Sequence, residues 1–454
     1  MAKPPNKKPA AAKQRDYHPV TVPFSATPVG ETLGIAQWAH RAVWTDRMLD
    51  TLLQNKVRGG KWHTLIDKVF SELNLFCSAR KVLGKKGAAG VDRQTVDDFA
   101  EQEREELHRL GRELRDSSYC PAPVRRTWIP KPGSSEKRPL GIPTVRDRVV
   151  QTALVHVIEP ILDATFHERS YGFRHGRGCH DALRCVEGLL EAGYLYVVDA
   201  DLKGYFDTIP KDRLLALVAG KVADGRIVKL VEAFLGQSVL EDTREWVPEQ
   251  GTPQGAVISP LLSNIYLDPL DHLMAERGFE MVRYADDFVV LCRSPQEAAE
   301  ALTVVRDWTE KAGLTLHPAK TRLVDAGIEG FDFLGYHFER GRRWPRKKSM
   351  DKLKDTIRAK TGRNVGKALP MVIADINPTL RGWFGYFRHS FRPTFRTVDG
   401  WVRRRLRSIL RRQQRKEGIS KVHGADHVRW PNAFFAKHGL FSLRGARDAV
   451  GQSS

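Results

Sequence analysis

Residues 281–292 read Met-Val-Arg-Tyr-Ala-Asp-Asp-Phe-Val-Val-Leu-Cys, two short apolar runs that flank the adjacent acids Asp286 and Asp287. Runs of this length, rich in β-branched and aromatic residues, are typical of buried strands. The pattern predicts a β-hairpin with both carboxylates at its tip, although Asp-Asp is a weaker turn signal than Asn-Gly. In a strand, neighbouring side chains face opposite ways, so only a turn lets both acids act in one region.

A third acid, Asp201, follows the apolar run 194–200 and opens the sequence Asp-Leu-Lys-Gly-Tyr-Phe-Asp. If the two predicted strands are neighbours, Asp201 and Asp286 meet at one sheet edge, where their charges repel unless divalent cations are present. Mg²⁺ prefers oxygen ligands and keeps positions open for phosphates, and two such ions roughly 3.5–4 Å apart suit phosphoryl transfer. The alternative is a set of turn-forming or helix-capping aspartates.

The patterns outside these runs predict an α+β fold, a sheet with helices on one face. Strand signals fade from Lys352 onward, so we expect the last part of the chain to be helical. Apolar spacing predicts short strands within 119–143 and helices at 44–70 (two, joined at Gly59-Gly60), 94–114, 148–166, 212–235, 259–270 and 297–311.

Basic charge is concentrated in one segment. The chain has 74 Lys and Arg against 54 Asp and Glu, a formal net charge of +20. The segment from Arg340 to Lys416 holds 24 of the basic and four of the acidic residues, so it accounts for the whole excess. Such a concentration is the electrostatic footprint of a polyanion-binding protein; the alternative is a solvated basic helix. Within 401–415, one helical stripe is apolar and the arginines fall mainly elsewhere; the stripe is Val402, Leu406, Ile409 and Leu410.

Length and composition exclude several classes of protein. A chain of 454 residues suggests two or three packed units, and no apolar run approaches the ~18 residues of a membrane span. The N-terminal residues 1–15 have no apolar core segment, so we expect a disordered tail without a secretory signal and a cytoplasmic protein. The five cysteines are never spaced C-x-x-C, which argues against a disulfide framework or a zinc site.

The ordered motifs resemble those of the reverse transcriptase and maturase proteins encoded by bacterial group II introns. The likeness runs roughly from residue 44 to residue 443. Its motifs include Ile129-Pro130-Lys131-Pro132, Arg138-Pro139-Leu140-Gly141-Ile142-Pro143, Ser170-Tyr171-Gly172-Phe173-Arg174, Asp201 to Asp207, Gly251-Thr252-Pro253-Gln254-Gly255, Tyr284 to Asp287, His317-Pro318-Ala319-Lys320-Thr321, Phe333-Leu334-Gly335-Tyr336 and Asn377-Pro378 with Arg381-Gly382-Trp383.

The resemblance implies a right-hand polymerase, with fingers and palm built from antiparallel sheet and packed helices, followed by an α-helical thumb that also binds intron RNA. The implied domains are a basic N-terminal tail (1–40), an N-terminal extension with the fingers (41–190), the palm (191–345), the thumb or maturase domain (346–420) and a C-terminal segment (421–454). Many relatives continue into a zinc-binding HNH endonuclease. Because no cysteine follows Cys292, we expect no DNA cleavage by this chain.

By the same resemblance, Asp201, Asp286 and Asp287 are the catalytic and metal-binding carboxylates. The first and second would hold two Mg²⁺ ions most directly, and Asp287 would support them. Asp207, at the end of the same motif as Asp201, is expected to be structural.

Five further residues match nucleotide-binding positions of the family. Lys131 and Arg138 would grip the triphosphate, a role suited to a point charge and a bidentate fork, unless they are only loop-surface charges. Phe206 would exclude a ribose 2′-hydroxyl, unless it is a core residue. Gln254 would orient nucleotide and template, and Lys320 would protonate departing pyrophosphate.

The thumb supplies the predicted RNA contacts. Its aromatic residues near 383–387 could stack on bases or form the thumb core. The arginines expected to contact RNA are Arg381, Arg388, Arg403, Arg404, Arg407 and Arg411.

The implied activity is RNA-directed DNA polymerisation, a nucleotidyltransferase reaction, combined with maturase assistance to splicing and mobility. The implied partners are group II intron RNA, an RNA template with a DNA primer, dNTPs and a DNA target; a homodimer is left open, and no membrane is expected. Two alternatives remain from sequence: a host-adopted reverse transcriptase in repair or defence, and a splicing chaperone without polymerase activity.

Overall fold

The computed structural model describes residues 43–45, 47–48, 64–130, 137–362, 366–413 and 423–450. The part of the predicted helix pair that falls on 49–63, the N-terminal tail and Lys131 lie outside the described residues. The first described elements are α1 Ile66–Val69, α2 Glu72–Gly84, α3 Val96–Glu101, α4 Glu103–Arg115, β1 Val124–Pro130, β2 Lys137–Ile142, α5 Val145–Asp163 and α6 Cys179–Glu191.

Two helices predicted as continuous are each interrupted. The helix predicted at 94–114 breaks at Gln102, whose φ of −110° and ψ of 16° lie outside the helical region; acids crowd the first turn of α4 and favour a new N-terminus there. The helix predicted at 212–235 breaks before Asp224, whose carboxylate caps the second piece and also accepts from the amides of Leu65 and Ile66. The Asp224 cap at the second break, and the acids of the first turn of α4 at the first, override a pattern that periodicity alone predicts as one helix.

The central elements form the palm sheet and the helices on it. They are β3 Tyr196–Asp201, α7 Tyr205–Thr208, α8 Lys211–Lys221, α9 Gly225–Leu235, β4 Val239–Glu241, β5 Arg244–Trp246, α10 Ser259–Glu276, β6 Glu280–Tyr284, β7 Asp287–Cys292, α11 Pro295–Lys311 and β8 Arg322–Asp325. The palm sheet has the order β6-β7-β3-β8 and is antiparallel throughout. A second four-stranded sheet, of order β2-β1-β4-β5, joins the predicted finger strands to the β4–β5 hairpin.

Both faces of the palm sheet are covered. Val198 and Val290 pack with helices α10 and α11 in the largest apolar core, whereas Val197 and Leu291 face α6 and a second apolar cluster. The α+β class is therefore confirmed, but the expectation of helices on one face only is wrong. The reason is that α6, an amphipathic helix, needs an apolar surface for its own buried residues Ala182, Leu183 and Val186.

The last part of the described chain holds a small antiparallel sheet and a helical domain. The elements are β9 Phe331–Phe333, β10 Tyr336–Glu339, β11 Arg342–Pro345, α12 Lys347–Lys360, α13 Leu369–Phe387, α14 Pro393–Gln413, α15 His423–Arg429, α16 Asn432–Lys437 and α17 Leu443–Val450. The predicted stripe of α14 is buried in the core of this helical domain. Within the described residues, no helix combines the length and apolar content that crossing a bilayer requires.

Helix α13 belongs to two cores. Ile373 and Leu380 pack inside the helical domain, while Phe387 packs with the palm and the small sheet. The Tyr386 hydroxyl donates to Leu334 O at 2.7 Å, and the Tyr336 hydroxyl donates to Tyr386 O at 2.7 Å. The helical domain is thus joined to the small sheet by packing and by hydrogen bonds.

Candidate active site

The predicted hairpin is formed by β6 and β7. A buried arginine, Arg283, holds its turn in place through hydrogen bonds. Ala285 adopts a φ of 60°, in the left-handed region. Arg283 has 0% exposure; its Nε donates to Asp271 Oδ1 at 2.8 Å and its Nη1 donates to Ala285 O at 2.9 Å. A buried guanidinium requires a carboxylate partner and full hydrogen bonding, so Arg283 and Asp271 together fix the backbone that precedes Asp286.

A glycine also fits against this turn. A Cβ atom added at Gly172 would lie 2.2 Å from the backbone nitrogen of Ala285, far inside any real contact. Asn264 donates its side-chain amide to Gly172 O at 2.8 Å and accepts from Arg283 Nη1 at 3.0 Å. The motif around Gly172 therefore packs directly against the turn of the hairpin and supports it.

The three predicted carboxylates come together at one end of the palm sheet. Asp201 stands directly opposite Asp287 in the β3–β7 register, and Asp286 occupies the adjoining turn. Opposite residues in an antiparallel pair point to the same face. A fourth acid, Asp199, lies two residues before Asp201 and so shares that face. Sequence analysis missed Asp199, although the period of two along β3 was a signal that could have found it.

Two cations contact this acidic face. Lys320 Nζ donates to Asp201 Oδ2 at 2.7 Å, and Arg322 Nε donates to Asp199 Oδ2 at 3.2 Å. Burial raises the pKa of Asp286, with the Asp201 charge adding to the rise and the Arg138 charge opposing it. Burial, followed by the charges of Asp286, Asp199 and Asp201, raises the pKa of Asp287 to about 7. The site therefore concentrates negative charge that the protein itself only partly neutralises.

The carboxylates fit Mg²⁺ by chemistry but are not preassembled around an ion. Among the described residues, no group of three or more His, Cys, Asp or Glu side chains has the arrangement of a metal site. Carboxylate oxygens are nevertheless the donors that Mg²⁺ prefers. A divalent cation would relieve the mutual repulsion that adds to the effect of burial in raising the pKa of Asp286 and Asp287.

Two of the predicted nucleotide-binding residues, Arg138 and Lys320, interact with these acids, and two others, Phe206 and Gln254, have different neighbours. Arg138 is exposed on β2 and acts electrostatically on Asp286, and Lys320 contacts Asp201. Phe206 is partly buried against the main core, with its ring centroid 5.4 Å from that of Tyr205. Gln254 instead contacts Asp207, donating from Nε2 to Oδ2 at 2.8 Å. Asp207 thereby holds the side chain of Gln254, in line with the structural role expected for it.

Two protein families match parts of this chain. The family described as "Reverse transcriptase (RNA-dependent DNA polymerase)" matches residues 129–338, and "Group II intron, maturase-specific domain" matches residues 350–426. Protein YkfC of Escherichia coli (strain K12) is 33% identical over an alignment 308 residues long, and the match covers 58% of this chain and 80% of YkfC. The chain belongs to the group II intron-encoded reverse transcriptase and maturase family. The resemblance seen in the sequence is thus confirmed.

Other members of the family match over a smaller share of their length. Group II intron-encoded protein LtrA of Lactococcus lactis subsp. cremoris is 36% identical over 221 residues, 46% of this chain and 36% of LtrA. The "Uncharacterized 91 kDa protein in cob intron" of Schizosaccharomyces pombe is 31% identical over 288 residues, 50% of this chain and 35% of that protein. The matched part of this chain thus spans about a third of the length of these two relatives.

The maturase-specific domain places the predicted RNA-binding arginines in different environments. Arg381, Arg388 and Arg404 are exposed. Arg403 is partly buried with its Nη1 4.0 Å from Asp399 Oδ2, and Arg411 Nε lies 3.3 Å from Asp426 Oδ2.

Arg407 is buried, contrary to its predicted role in RNA binding. It is 4% exposed, and its guanidinium donates to Trp430 O at 3.0 and 2.8 Å and to Asn432 Oδ1 at 3.2 Å. The prediction that Arg407 offers its cation to RNA is wrong for this fold, because the segment that follows α14 covers it. The nearby aromatics Phe384 and Phe387 are likewise buried, so the core interpretation of the thumb aromatics is the correct one for these two.

Proposed function

We propose that this chain is an RNA-directed DNA polymerase that extends a DNA 3′ end on an RNA template, and that it also binds group II intron RNA and assists its splicing and mobility. The observation that carries the proposal is the meeting of Asp201, Asp286 and Asp287 at one end of the palm sheet in a member of this family. A pure RNA chaperone has no physical need for such a cluster of like charges.

In the proposed reaction, Asp201 and Asp286 hold Mg²⁺ with support from Asp287. Two bound ions would supply activation of the primer hydroxyl and charge stabilisation of the leaving pyrophosphate. Arg138 and Lys131 hold the dNTP triphosphate, Phe206 faces its sugar, and Gln254 orients it against the template. Lys320, whose Nζ donates to Asp201 Oδ2 at 2.7 Å, gives a proton to the departing pyrophosphate.

The RNA-binding part of the proposal rests on the maturase-specific match and on exposed positive charge. Arg381, Arg388 and Arg404 contact intron RNA phosphates directly, and Arg403 and Arg411 do so from partly buried positions. We propose the domain limits 41–190, 191–345 and 346–420. The family matches end at 338 and begin at 350, on either side of the palm–thumb boundary, and so support that one limit. A DNA target, a cytoplasmic location with nucleoid association, and homodimer formation complete the proposal.

The first test is Mg²⁺-dependent dNTP incorporation on a primed RNA template. We expect Asp286→Ala to lower incorporation by at least about a hundredfold, because several kcal/mol of charge stabilisation is removed. Asp307→Ala, which changes an exposed aspartate on α11, is the matched control and should keep full activity.

The same variants separate the two proposed activities. Splicing is catalysed by the intron RNA and needs no protein carboxylate, so Asp286→Ala should still support splicing of the cognate intron. Loss of both activities in a folded Asp286→Ala protein would contradict separable roles. An inactive wild-type chain that still supports splicing would favour the chaperone alternative, and an active polymerase without any splicing effect would favour a host-adopted role in repair or defence.

A further inference from the structure

Phe173 is an exposed aromatic residue in a strained backbone conformation. Its φ of 59° lies in the left-handed region, which a residue with a bulky side chain rarely adopts. The residue is 47% exposed and belongs to none of the apolar clusters that the described residues form. A left-handed conformation costs a non-glycine residue free energy, and residues with such strain collect at functional sites. The position therefore indicates a role other than packing in a core.

The residues on either side of Phe173 hold it in this conformation. Gly172 lies against the turn of the β6–β7 hairpin, since a Cβ added to it would come within 2.2 Å of the backbone nitrogen of Ala285. Arg174 is 8% exposed, and its Nε donates to Asp163 Oδ1 at 2.6 Å. With both neighbours fixed, the ring of Phe173 is left on the surface.

This strained residue lies next to the carboxylate site. The segment that precedes it runs beside β6: Tyr171 N donates to Arg283 O at 2.9 Å, and Arg283 N donates to Arg169 O at 3.0 Å. The segment therefore continues the edge of the palm sheet and reaches the turn that carries Asp286. Consecutive Cα atoms are about 3.8 Å apart, so Phe173 follows directly on the glycine that touches this turn.

The charge of the loop around Phe173 favours a polyanion. Residues 169–180 include three arginines and two histidines and no Asp or Glu. Two of these arginines pair with acids from other segments. The third, Arg177, donates to the backbone oxygen of Glu168 and has no carboxylate partner among the described residues. An exposed ring beside a basic side chain is typical of surfaces that bind nucleic acid strands.

The proposed reaction defines which nucleotide lies here. The primer hydroxyl that attacks the dNTP must reach the carboxylates, so the nucleotide that carries this hydroxyl must lie beside the turn of Asp286 and therefore beside Phe173. Every nucleobase has a π face on which an aromatic side chain can stack, whatever the base. The terminal nucleotide of the primer thus offers the ring a partner in the place where the ring is exposed.

We propose that the ring of Phe173 packs against the base of the 3′-terminal primer nucleotide and so holds the primer end at the carboxylates. The inference rests on the proposed polymerase function, since it requires a primer end at Asp201 and Asp286. It adds to that function a residue that contacts the primer rather than the metal ions or the dNTP. The backbone strain at Phe173 is then the cost of presenting an aromatic ring beside the catalytic turn.

Phe173→Asn removes the ring and keeps the backbone conformation. Asparagine enters the left-handed region several times more readily than most other non-glycine residues, so the variant should unfold at a urea concentration no lower than the wild type does. The dissociation constant is measured for a primed RNA template and for the same RNA without a primer. We expect binding of the primed template to weaken at least about fivefold, the lower end of what stacking on an aromatic side chain contributes, and binding of the unprimed RNA to stay within about twofold.

Two further variants and a modified primer locate the effect. Phe173→Tyr keeps the ring and should bind the primed template as the wild type does. Phe76→Gln, the matched control, replaces an exposed phenylalanine of helix α2 and should leave both dissociation constants unchanged. With a primer whose 3′-terminal residue is abasic, Phe173→Asn should bind as well as the wild type does, because the partner of the ring is already missing.

Unchanged affinity of Phe173→Asn for the primed template would overturn the inference, and so would an equal loss for primed and unprimed RNA. A Phe173→Asn protein that unfolds at a lower urea concentration than the wild type would show that the ring belongs to the fold, which would also overturn it. If the wild type incorporates dNTPs in these cases, the polymerase proposal stands and only the contact of Phe173 fails. A wild-type chain that incorporates no dNTP on a primed template loses both proposals.

Discussion

At the scale of single residues, Gly172 is the position where one added methyl group should disturb the β6–β7 hairpin most. We predict that Gly172→Ala lowers dNTP incorporation at least about tenfold and destabilises the fold by roughly 1–3 kcal/mol, since the new Cβ must push Ala285 and its turn away. The measurement is incorporation together with urea unfolding.

Gly188 provides the matched control for that substitution. It lies inside helix α6, and a Cβ added there meets nothing within 4 Å. Gly188→Ala should keep activity and gain roughly 0.5–1 kcal/mol of stability, because alanine is the better helix former. Equal effects of the two substitutions would mean that the hairpin is not seated on Gly172.

The cations that contact the acidic face could not be predicted from residue identity alone. The pair Asp286-Asp287 was visible because its hairpin is local, but the bond between Lys320 and Asp201 joins residues far apart in sequence. Arg407 shows the converse: its pattern marks a cation beside an apolar stripe, yet Trp430 and Asn432 from a later segment cover it. Burial of a charge depends on partners that a one-dimensional pattern does not contain.

At the scale of elements, helices α2 and α5 enclose a carboxyl group that should make stability depend on pH. Burial raises the pKa of Glu159 to about 7, with the charge of Lys81 opposing the rise. The pKa of a glutamate in the unfolded chain is about 4.3. Between roughly pH 4.3 and pH 7 the folded chain therefore binds more protons than the unfolded chain. Stability from this group is present at low pH and is lost as the pH rises through that window.

We therefore predict that the difference in unfolding free energy between Glu159→Gln and the wild type is near zero at pH 4 and grows to about 1–3 kcal/mol in favour of Glu159→Gln at pH 8. Urea unfolding at the two pH values measures it. A difference that does not change with pH would show that this carboxyl group titrates alike in the folded and unfolded chain.

Most elements of the palm could be predicted from local periodicity, and the short ones could not. Strands β6 and β7 and helices α10 and α11 lie where apolar spacing indicates them. Strands β9, β10 and β11 have three or four residues each, which is too few for a pattern to stand out from chance. The placement of β3 beside β7, on which the carboxylate site depends, was expected from family resemblance and not from any local signal.

At the scale of the whole molecule, the uneven charge should govern RNA affinity. The excess of basic residues lies between Arg340 and Lys416, so binding should weaken steeply with salt as phosphate counterions are released. We predict that Arg404→Gln flattens the slope of log K against log salt by about 0.7–0.9, the share of one phosphate contact. Arg226→Gln, an exposed arginine of α9, is the control and should leave the slope unchanged; identical slopes for all three proteins would contradict this role of Arg404.

Helix α13 packs in two apolar cores, and this limits how parts of the chain can be exchanged with those of another protein. A chimera cut at residue 346, which grafts the helical domain onto a foreign palm, would separate Tyr386 from Leu334 and Tyr336 and would leave the ring of Phe387 without its apolar neighbours. Only a recipient palm whose surface packs against these aromatic side chains in the same way could accept the graft. The two parts of the chain that match separate families therefore depend on each other for packing at this junction.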